Sequence, residues 1–333
     1  MDTEFAILLV VIVLALVFDY VNGFHDTANA IATVVATRVL SPVQAISMAA
    51  VMNFLGAMSG TAVATTVGKG IIESGAVTQQ LVISALISAI VWDLVTWYYG
   101  IPSSSSHALV FSIVGAGLAT GGPAILVWPG IEKVLAGLVV SPVLGFTAGL
   151  LFMIMLFQIF ARMHPTWVSR FFGRAQLVSS LYMAFSHGSN DAQKTMGVIT
   201  MSLAAYYGWS GDDWEVPVWV IVASATAMAL GTASGGWRII KTMGHKIVEL
   251  KPIHGFAAET TAATIIELAT RLGIPISTTH VISSTIMGVG ATGNRRAVRW
   301  GVAGNIVTAW IVTLPACVAM GWLFSELLHT ILP

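Results

Sequence analysis

The chain has 333 residues, of which 56% are hydrophobic and only 9% are charged, whereas about one quarter of the residues in a soluble domain are charged. Its 15 basic and 15 acidic side chains balance, which gives no indication of a nucleic-acid partner. The composition excludes an ordinary soluble domain and predicts an all-α protein that crosses a membrane several times.

Long apolar runs follow one another along the chain, and several exceed the roughly 20 residues that a helix needs to cross a bilayer. The first run follows Asp2 and Glu4, where a cleavable signal peptide would carry lysine or arginine. The single cysteine, Cys317, excludes an internal disulfide. The runs and the polar stretches beside them predict ten membrane segments: 5–37, 43–66, 81–100, 101–119, 134–160, 176–207, 217–235, 255–272, 274–291 and 300–328.

The first segment contains the polar stretch "NGFHDTANA" at 22–30 among apolar neighbours. A carboxylate inside a membrane is costly and marks a functional residue by default. Carboxylate oxygens coordinate cations and also carry protons, so Asp26, beside the imidazole of His25, is a candidate ion-binding residue. The alternative is a structural ion pair that holds helices together.

The stretch "GIPSSSSH" at 100–107 has the pattern of a helix start. Proline is favourable there because its position needs no backbone N–H. The serines that follow offer hydroxyl groups and free backbone N–H groups at the positive end of a helix, which is an anion site. The alternative is a plain helix cap, which serine also supplies.

Both motifs recur in the second half of the chain. At an offset of 165 residues, Asp26 falls on Asp191, and Asn29 falls on Lys194. At an offset of 173, "GIPSSSSH" falls on "GIPISTTH" at 273–280. We therefore predict a first repeat at 1–160, a short linker at 161–175 and a second repeat at 176–333.

Lysine and arginine gather at 161–175, 237–251 and 292–299, which the positive-inside rule assigns to the cytoplasm. Residue 165 is then predicted to be cytoplasmic, and residue 212, in the acidic stretch 211–215, to be external. Five segments per half is an odd number, so the halves enter the membrane in opposite senses. Inverted repeats of this kind are typical of secondary transporters.

Two pairs of segments are unusual in length. Segments 5–37 and 176–207 are too long for one straight membrane helix, so we predict that both are broken. Segments 101–119 and 274–291 are short and begin with Gly-Ile-Pro. They are either short crossings or re-entrant hairpins.

Five further polar residues lie in apolar segments. Glu259 is equally consistent with an ion pathway and with a structural role, whereas Asn53 and Asp93 fit helix–helix hydrogen bonds better. Capping or packing explains His107 and His280 as well as substrate contact does.

A metal centre built from the histidines and aspartates of the two polar motifs, His25, Asp26, His187 and Asp191, is also conceivable. Their spacing matches no recognised set of metal ligands. We therefore disfavour a resident metal and expect no cofactor.

Four stretches together resemble the bacterial branch of the inorganic phosphate transporter (PiT) family: "NGFHDTANAIATVVATRVLSP", "FSHGSNDAQKTMGVI", "GTASGGWRIIKTMGHKI" and "GFAAETTAA…GIPISTTH". The resemblance covers about residues 15–310. It implies two inverted repeats with broken helices, a central phosphate site and, often, a homodimer in the cytoplasmic membrane. Substrate or cation roles are implied for Asp26, Asn29, Asn190 and Asp191, and phosphate-binding turns for Ser104, Ser105, Ser277 and Thr278.

The chain departs from the family's usual pattern at two positions, where His25 and Lys194 replace asparagines. An imidazole titrates near neutral pH, and an ammonium repels sodium and can contact Asp191 or phosphate. We therefore favour coupling to protons over coupling to sodium, through His25, Asp26, Asp191 and Glu259. The branch also implies that a divalent metal travels with phosphate.

Competing functions remain within and outside this family. A sulfate permease of the same fold is the nearest, but sulfate carries no proton at neutral pH and would be repelled by two carboxylates. A phosphatase or transferase lacks a nucleophile–base arrangement in this sequence, so we predict no enzymatic activity. Paired carboxylates inside the membrane argue against a channel.

Overall fold

The computed structural model describes residues 3–209, 214–293 and 295–331, and residue 212 therefore lies outside the described residues. Within these ranges the chain is all-α, as the sequence predicts. The helices are α1 (Thr3–Ala36), α2 (Pro42–Ala57), α3 (Ala62–Gly70), α4 (Gln79–Tyr99), α5 (Ser105–Gly121), α6 (Trp128–Phe160), α7 (Pro165–Tyr207), α8 (Val218–Ser234), α9 (Trp237–Lys241), α10 (Pro252–Arg271), α11 (Thr278–Ala291) and α12 (Trp300–Ile331).

Five of the described helices are long and apolar enough to cross a membrane, namely α1, α4, α5 with its extension to Ile125, α6 and α12. The number rises to seven if the bent pairs α2–α3 and α8–α9 each form one span. Length and composition thus support fewer spans than the ten predicted segments. With 14 residues, α11 is too short, and buried polar residues interrupt the apolar runs of α7 and α10.

The predicted breaks in segments 5–37 and 176–207 are wrong. Both polar motifs lie in continuous helices, because α1 has 34 residues and α7 has 43. Neighbouring side chains contact Asp26 and Asp191 in these motifs, and the helical backbone continues through both. The bends lie elsewhere, at 69° between α2 and α3 and at 60° where α8 meets the helical segment from Trp237 to Lys246.

The predicted linker at 161–175 is helical over most of its length, because α7 begins at Pro165. His164 caps this helix through its ring nitrogen, 3.4 Å from the backbone nitrogen of Thr166. Proline in the first turn is compatible with this start. Only the residues from 161 to 164 therefore connect α6 to α7.

The two halves repeat the same order of elements and interlock. Helix α2 packs on α7 as α8 packs on α1, and α5 packs on α12 as α11 packs on α6. Glycines mark these contacts at matching positions. A Cβ atom on Gly56 would lie 2.0 Å from the carbonyl oxygen of Phe185, and one on Gly231 would lie 2.1 Å from that of Tyr20. The internal repeat is thus a repeat of packing as well as of sequence.

Each half contains a helical hairpin, α4–α5 in the first and α10–α11 in the second. Gly100 and Gly273 take the left-handed conformation after the first helix of each, with φ of 66° and 64°, which glycine adopts without a Cβ penalty. An extended stretch then leads to the second helix. Both tips are buried in the protein, which favours the re-entrant alternative over short crossings.

Candidate functional site

The two polar motifs and the two hairpin tips meet in the interior of the protein. Asp26 on α1 and Asp191 on α7 each offer a carboxylate oxygen, and His187 offers a ring nitrogen. These three atoms lie within 4.8 Å of one another. Asp26 and Asp191 are 3% and 1% exposed. The central feature of the site is therefore a pair of buried carboxylates, one from each half.

Asp26 is held mainly by an imidazole. The Nδ1 atom of His25 lies 2.6 Å from Asp26 Oδ1, and its Nε2 atom lies 3.0 Å from the hydroxyl of Thr96 on α4. Ser103 at the first hairpin tip donates to Thr96 over 2.8 Å. On its other oxygen, Asp26 accepts a long hydrogen bond of 3.4 Å from Thr279.

Asp191 is held mainly by an ammonium group. The Nζ atom of Lys194 donates to Asp191 Oδ1, to the hydroxyl of Ser106 and, over 3.1 Å, to the carbonyl oxygen of Ile276. Thr278 donates to Asp191 Oδ2 over 3.0 Å, and the Nε2 atom of His187 lies 3.1 Å from the same oxygen. The ammonium thus joins α7 to the tips of both hairpins.

The asparagines of the two motifs reach the hairpins. Asn29 donates to Thr278 over 3.3 Å and to Thr279 over 2.8 Å. Asn190 donates to Thr270 over 2.8 Å. The side-chain carbonyl oxygens of Asn29 and Asn190 are buried and make no hydrogen bond among the described residues.

Of the serines predicted to bind the anion, two cap helices and one does not. Ser104 and Ser277 cap α5 and α11, because their hydroxyl oxygens accept from the backbone nitrogens of the residues three positions on, over 3.3 and 3.2 Å. Ser105 is buried, and its hydroxyl faces the carboxyl group of Asp93 without completing a hydrogen bond in the described structure. The first-turn N–H groups of both helices have no partner within the helix. The tips therefore present hydrogen-bond donors, as an anion requires.

Several contacts of the site were missed in the sequence. Ser103, Ser106 and Thr279 lie in the recognised motifs, directly beside the residues that were selected, and the pattern could have identified them. Thr96 binds His25 from the last turn of the apolar helix α4, and no motif indicates it.

Glu259 does not join this group. It accepts hydrogen bonds from Thr33 over 2.5 Å, from Gln176 over 2.9 Å and from Ser179 over 2.5 Å. Thr33 follows Asp26 by seven residues, which is about 10 Å along a helix. Glu259 thus forms a separate polar cluster between α1, α7 and α10.

The remaining polar residues have different environments. Asn53 donates to Thr232 on α8 over 2.8 Å and lies 3.2 Å from the ring of His187, which confirms its predicted helix–helix role. For Asp93 that prediction is wrong, because neither carboxylate oxygen is hydrogen-bonded within the described ranges.

His107 and His280 pack against each other with ring centroids 4.8 Å apart. His280 also stacks on Trp310, with ring centroids 4.0 Å apart. These ring contacts agree with the packing alternative for both histidines.

Three of the four residues considered for a metal centre come together, although the sequence spacing gave no support for it. Asp26, His187 and Asp191 could ligate one divalent cation, since oxygen and imidazole ligands suit several such ions. His25 instead contacts Thr96 and Ser103 through Nε2. The chemistry of the whole site is that of a small oxyanion between helix starts, with cations or protons at the carboxylates.

Comparison with known proteins agrees with this chemistry. Residues 22–321 match the model of the phosphate transporter family. A probable low-affinity inorganic phosphate transporter of Rhizobium meliloti (strain 1021) is 50% identical over 313 residues, which are 94% of this chain and 93% of that protein. One of the same description from Bacillus subtilis (strain 168) is 45% identical over 337 residues, covering 99% of this chain and all of the relative.

Among solved structures, one described as the sodium-dependent phosphate transporter has a TM-score of 0.91 and 28% identity. The match covers 98% of this chain and 100% of that chain. The predicted resemblance is confirmed, and the chain belongs to the phosphate transporter family.

Proposed function

We propose that this protein is a secondary active transporter that imports inorganic phosphate across the bacterial cytoplasmic membrane together with protons. The observation that carries the proposal is the meeting of two helix starts and two buried carboxylates at one place, since helix starts attract an anion and carboxylates receive its counter-charges. The bilayer surrounds the exposed apolar side chains of the spanning helices. A homodimer stays a prediction from the family resemblance.

Phosphate fits the acceptors of the site better than sulfate does. The carbonyl oxygens of Asn29 and Asn190 are buried without hydrogen bonds among the described residues and need donors, and the carboxylates of Asp26 and Asp191 accept further donors in preference to a fully ionised anion. Phosphate carries a proton at neutral pH and can donate it, whereas sulfate cannot. Sulfate at this position would leave buried acceptors unpaired, at about 1–3 kcal/mol each.

The position of Lys194 supports protons over sodium as the coupling ion. Its ammonium group lies among three oxygen atoms, from Asp191, Ser106 and Ile276. A sodium ion seeks oxygen ligands of this kind, so the tethered ammonium takes the place of a free cation there. His25, between Asp26 and Thr96, adds an imidazole, a group that can accept and release a proton.

Sodium coupling is the second candidate, because the structural relative is described as sodium-dependent. For this chain it would require sodium ligands away from Lys194. A divalent metal carried with phosphate is compatible with either coupling ion, because Asp26, His187 and Asp191 could receive it as cargo.

Uptake of labelled phosphate into proteoliposomes tests the proposal. We expect uptake that persists in sodium-free buffer, collapses with a protonophore and rises when magnesium is added. Arsenate should compete, because it shares the protonation chemistry of phosphate, and sulfate should not. Uptake that requires sodium and ignores the protonophore would contradict proton coupling, and equal competition by sulfate would contradict phosphate selectivity.

A further inference from the structure

Helix α1 carries a continuous stripe of buried polar residues, which we name the α1 stripe. Its members are Asp19, Asn22, Asp26, Asn29 and Thr33, at alternating spacings of three and four residues, so all five lie on one face of the helix. Each of them is at most 3% exposed. The substrate site occupies only the middle of this stripe.

The two ends of the α1 stripe differ in their partners. At one end, Thr33 donates to Glu259, which has two further donors. At the other end, neither oxygen of Asp19 makes a hydrogen bond in the described part of the chain. Thr195 on α7 faces Asp19 without completing one. Asp19 is therefore a buried carboxyl group without a donor.

Among the described residues, the buried side-chain atoms of the α1 stripe that make no hydrogen bond are all oxygens: both of Asp19, Oδ1 of Asn22 and Oδ1 of Asn29. Oxygens of this kind accept hydrogen bonds or ligate cations, so each requires a donor or a cation. An ionised carboxylate left without either in such surroundings is strongly unfavourable. The end of the stripe at Asp19 requires a proton or another cation.

No charged group among the residues that the structure describes fills this requirement. The charged groups that face Asp19 from packed helices are Asp191 and Lys194 on α7, and these two are paired with each other. Helix α4 contributes Asp93, which lies near His25 and Asp26 at the middle of the stripe. Asp26 itself is two turns away, about 10 Å along α1.

The internal repeat separates Asp19 from the residues that bind substrate. At the offset of 165 that aligns Asp26 with Asp191, the counterpart of Asp19 is Ala184. Residues matched in both halves can contact a substrate between the halves in the same way. A carboxyl group present in the first half alone can bind a proton for which the second half has no equivalent residue.

We propose that Asp19 is a proton-binding residue of this transporter, distinct from the carboxylates at the substrate site. Along α1 it lies on the side of Asp26 that the positive-inside rule assigns to the exterior, and it takes up a proton from that side in each inward cycle. This inference rests on the proposed proton coupling and adds the residue at which a coupling proton is bound.

The test separates transport from coupling in proteoliposomes. Asp19→Asn keeps the shape of the side chain and removes its capacity to carry a proton. We expect this variant to exchange internal for external phosphate at the wild-type rate, and to lose accumulation driven by an inward proton gradient. Asp19→Glu, which retains a carboxyl group, should restore accumulation.

Each other result has a defined meaning. Wild-type accumulation by Asp19→Asn would overturn the inference, and so would loss of exchange together with accumulation in a folded variant, because Asp19 would then serve substrate binding. If Asp19→Asn does not fold, Asp19→Ser repeats the test with a smaller side chain. Failure of the wild-type protein to accumulate phosphate on a proton gradient would instead contradict the proposed function.

Discussion

The two aspartates at the centre of the protein occupy matching positions in the repeat but have different partners. Asp26 is held by the imidazole of His25 and Asp191 by the ammonium of Lys194. An ammonium only donates hydrogen bonds, whereas an imidazole donates or accepts and can carry a proton. The repeated backbone thus supplies two similar positions, and the side chains give one aspartate an ammonium partner and the other an imidazole partner.

The largest expected effect on stability and uptake comes from removing the ammonium group that pairs with Asp191. Lys194→Gln leaves Asp191 buried without its counter-charge, which we expect to lower the free energy of unfolding by about 3–5 kcal/mol and to abolish phosphate uptake. Thermal unfolding in detergent measures the first effect, and uptake the second. The exposed Lys133 provides the control Lys133→Gln, and equal stability of the two variants would contradict a structural role for the ion pair.

Neutralising either aspartate should abolish uptake while the protein remains folded. Asp26→Asn and Asp191→Asn each remove a charge and an acceptor from the site, and we expect Asp191→Asn to be the less stable because it leaves the ammonium unpaired. Uptake in proteoliposomes, together with a monodisperse gel-filtration profile, provides the measurement. Normal uptake by either variant would remove that residue from the site.

The hairpin tips should divide into binding and capping positions. Ser105→Ala and Thr278→Ala each remove a hydroxyl from the anion-facing turn, and we expect weaker phosphate binding by about 1.5–3 kcal/mol, the contribution of a hydrogen bond to a charged group. Ser104→Ala and Ser277→Ala remove caps instead, which costs about 0.5–2 kcal/mol of stability. If all four variants bind phosphate with the same apparent affinity as the wild-type protein, the hydroxyl groups of the hairpin tips serve only to cap helices.

Replacing His25, the imidazole partner of Asp26, should change the maximal rate of uptake less than the pH dependence of uptake. His25→Asn keeps a hydrogen-bonding group beside Asp26 and removes the imidazole. We expect uptake to continue with a flatter pH profile, because asparagine cannot accept and release a proton as an imidazole can. A profile identical to that of the wild-type protein would show that His25 carries no coupling proton.

The smallest effect is expected from a probe of membrane orientation. A cysteine at position 165, at the start of α7, should be labelled from the cytoplasmic side in a Cys317→Ser background without loss of uptake. Labelling from the outside would reverse the assignment of the positive segments and would exchange the external and internal ends of the α1 stripe.

Much of this architecture is recoverable from the sequence, because composition and internal repetition act over the whole chain. The pairing of Asp26 with Asp191 and of the two Gly-Ile-Pro motifs follows from alignment of the chain with itself. The helix bends could not be located in this way, since they depend on contacts with other helices that sequence alone does not position. For the same reason the sequence could not separate Asn53, which has hydrogen-bond partners, from Asp93, whose carboxylate oxygens make no hydrogen bond among the described residues.

The glycine contacts between the halves bear on how the protein is made. Gly56 on α2 fits against α7, and Gly231 on α8 fits against α1. Helices α1 and α2 therefore lack these packing partners until the second half of the chain has been synthesised. While the ribosome is still synthesising the second half, the first half carries buried carboxyl groups and close-packing surfaces that nothing yet covers. The newly inserted first half therefore needs shielding, by lipid, by the insertion machinery or by a chaperone, until synthesis is complete.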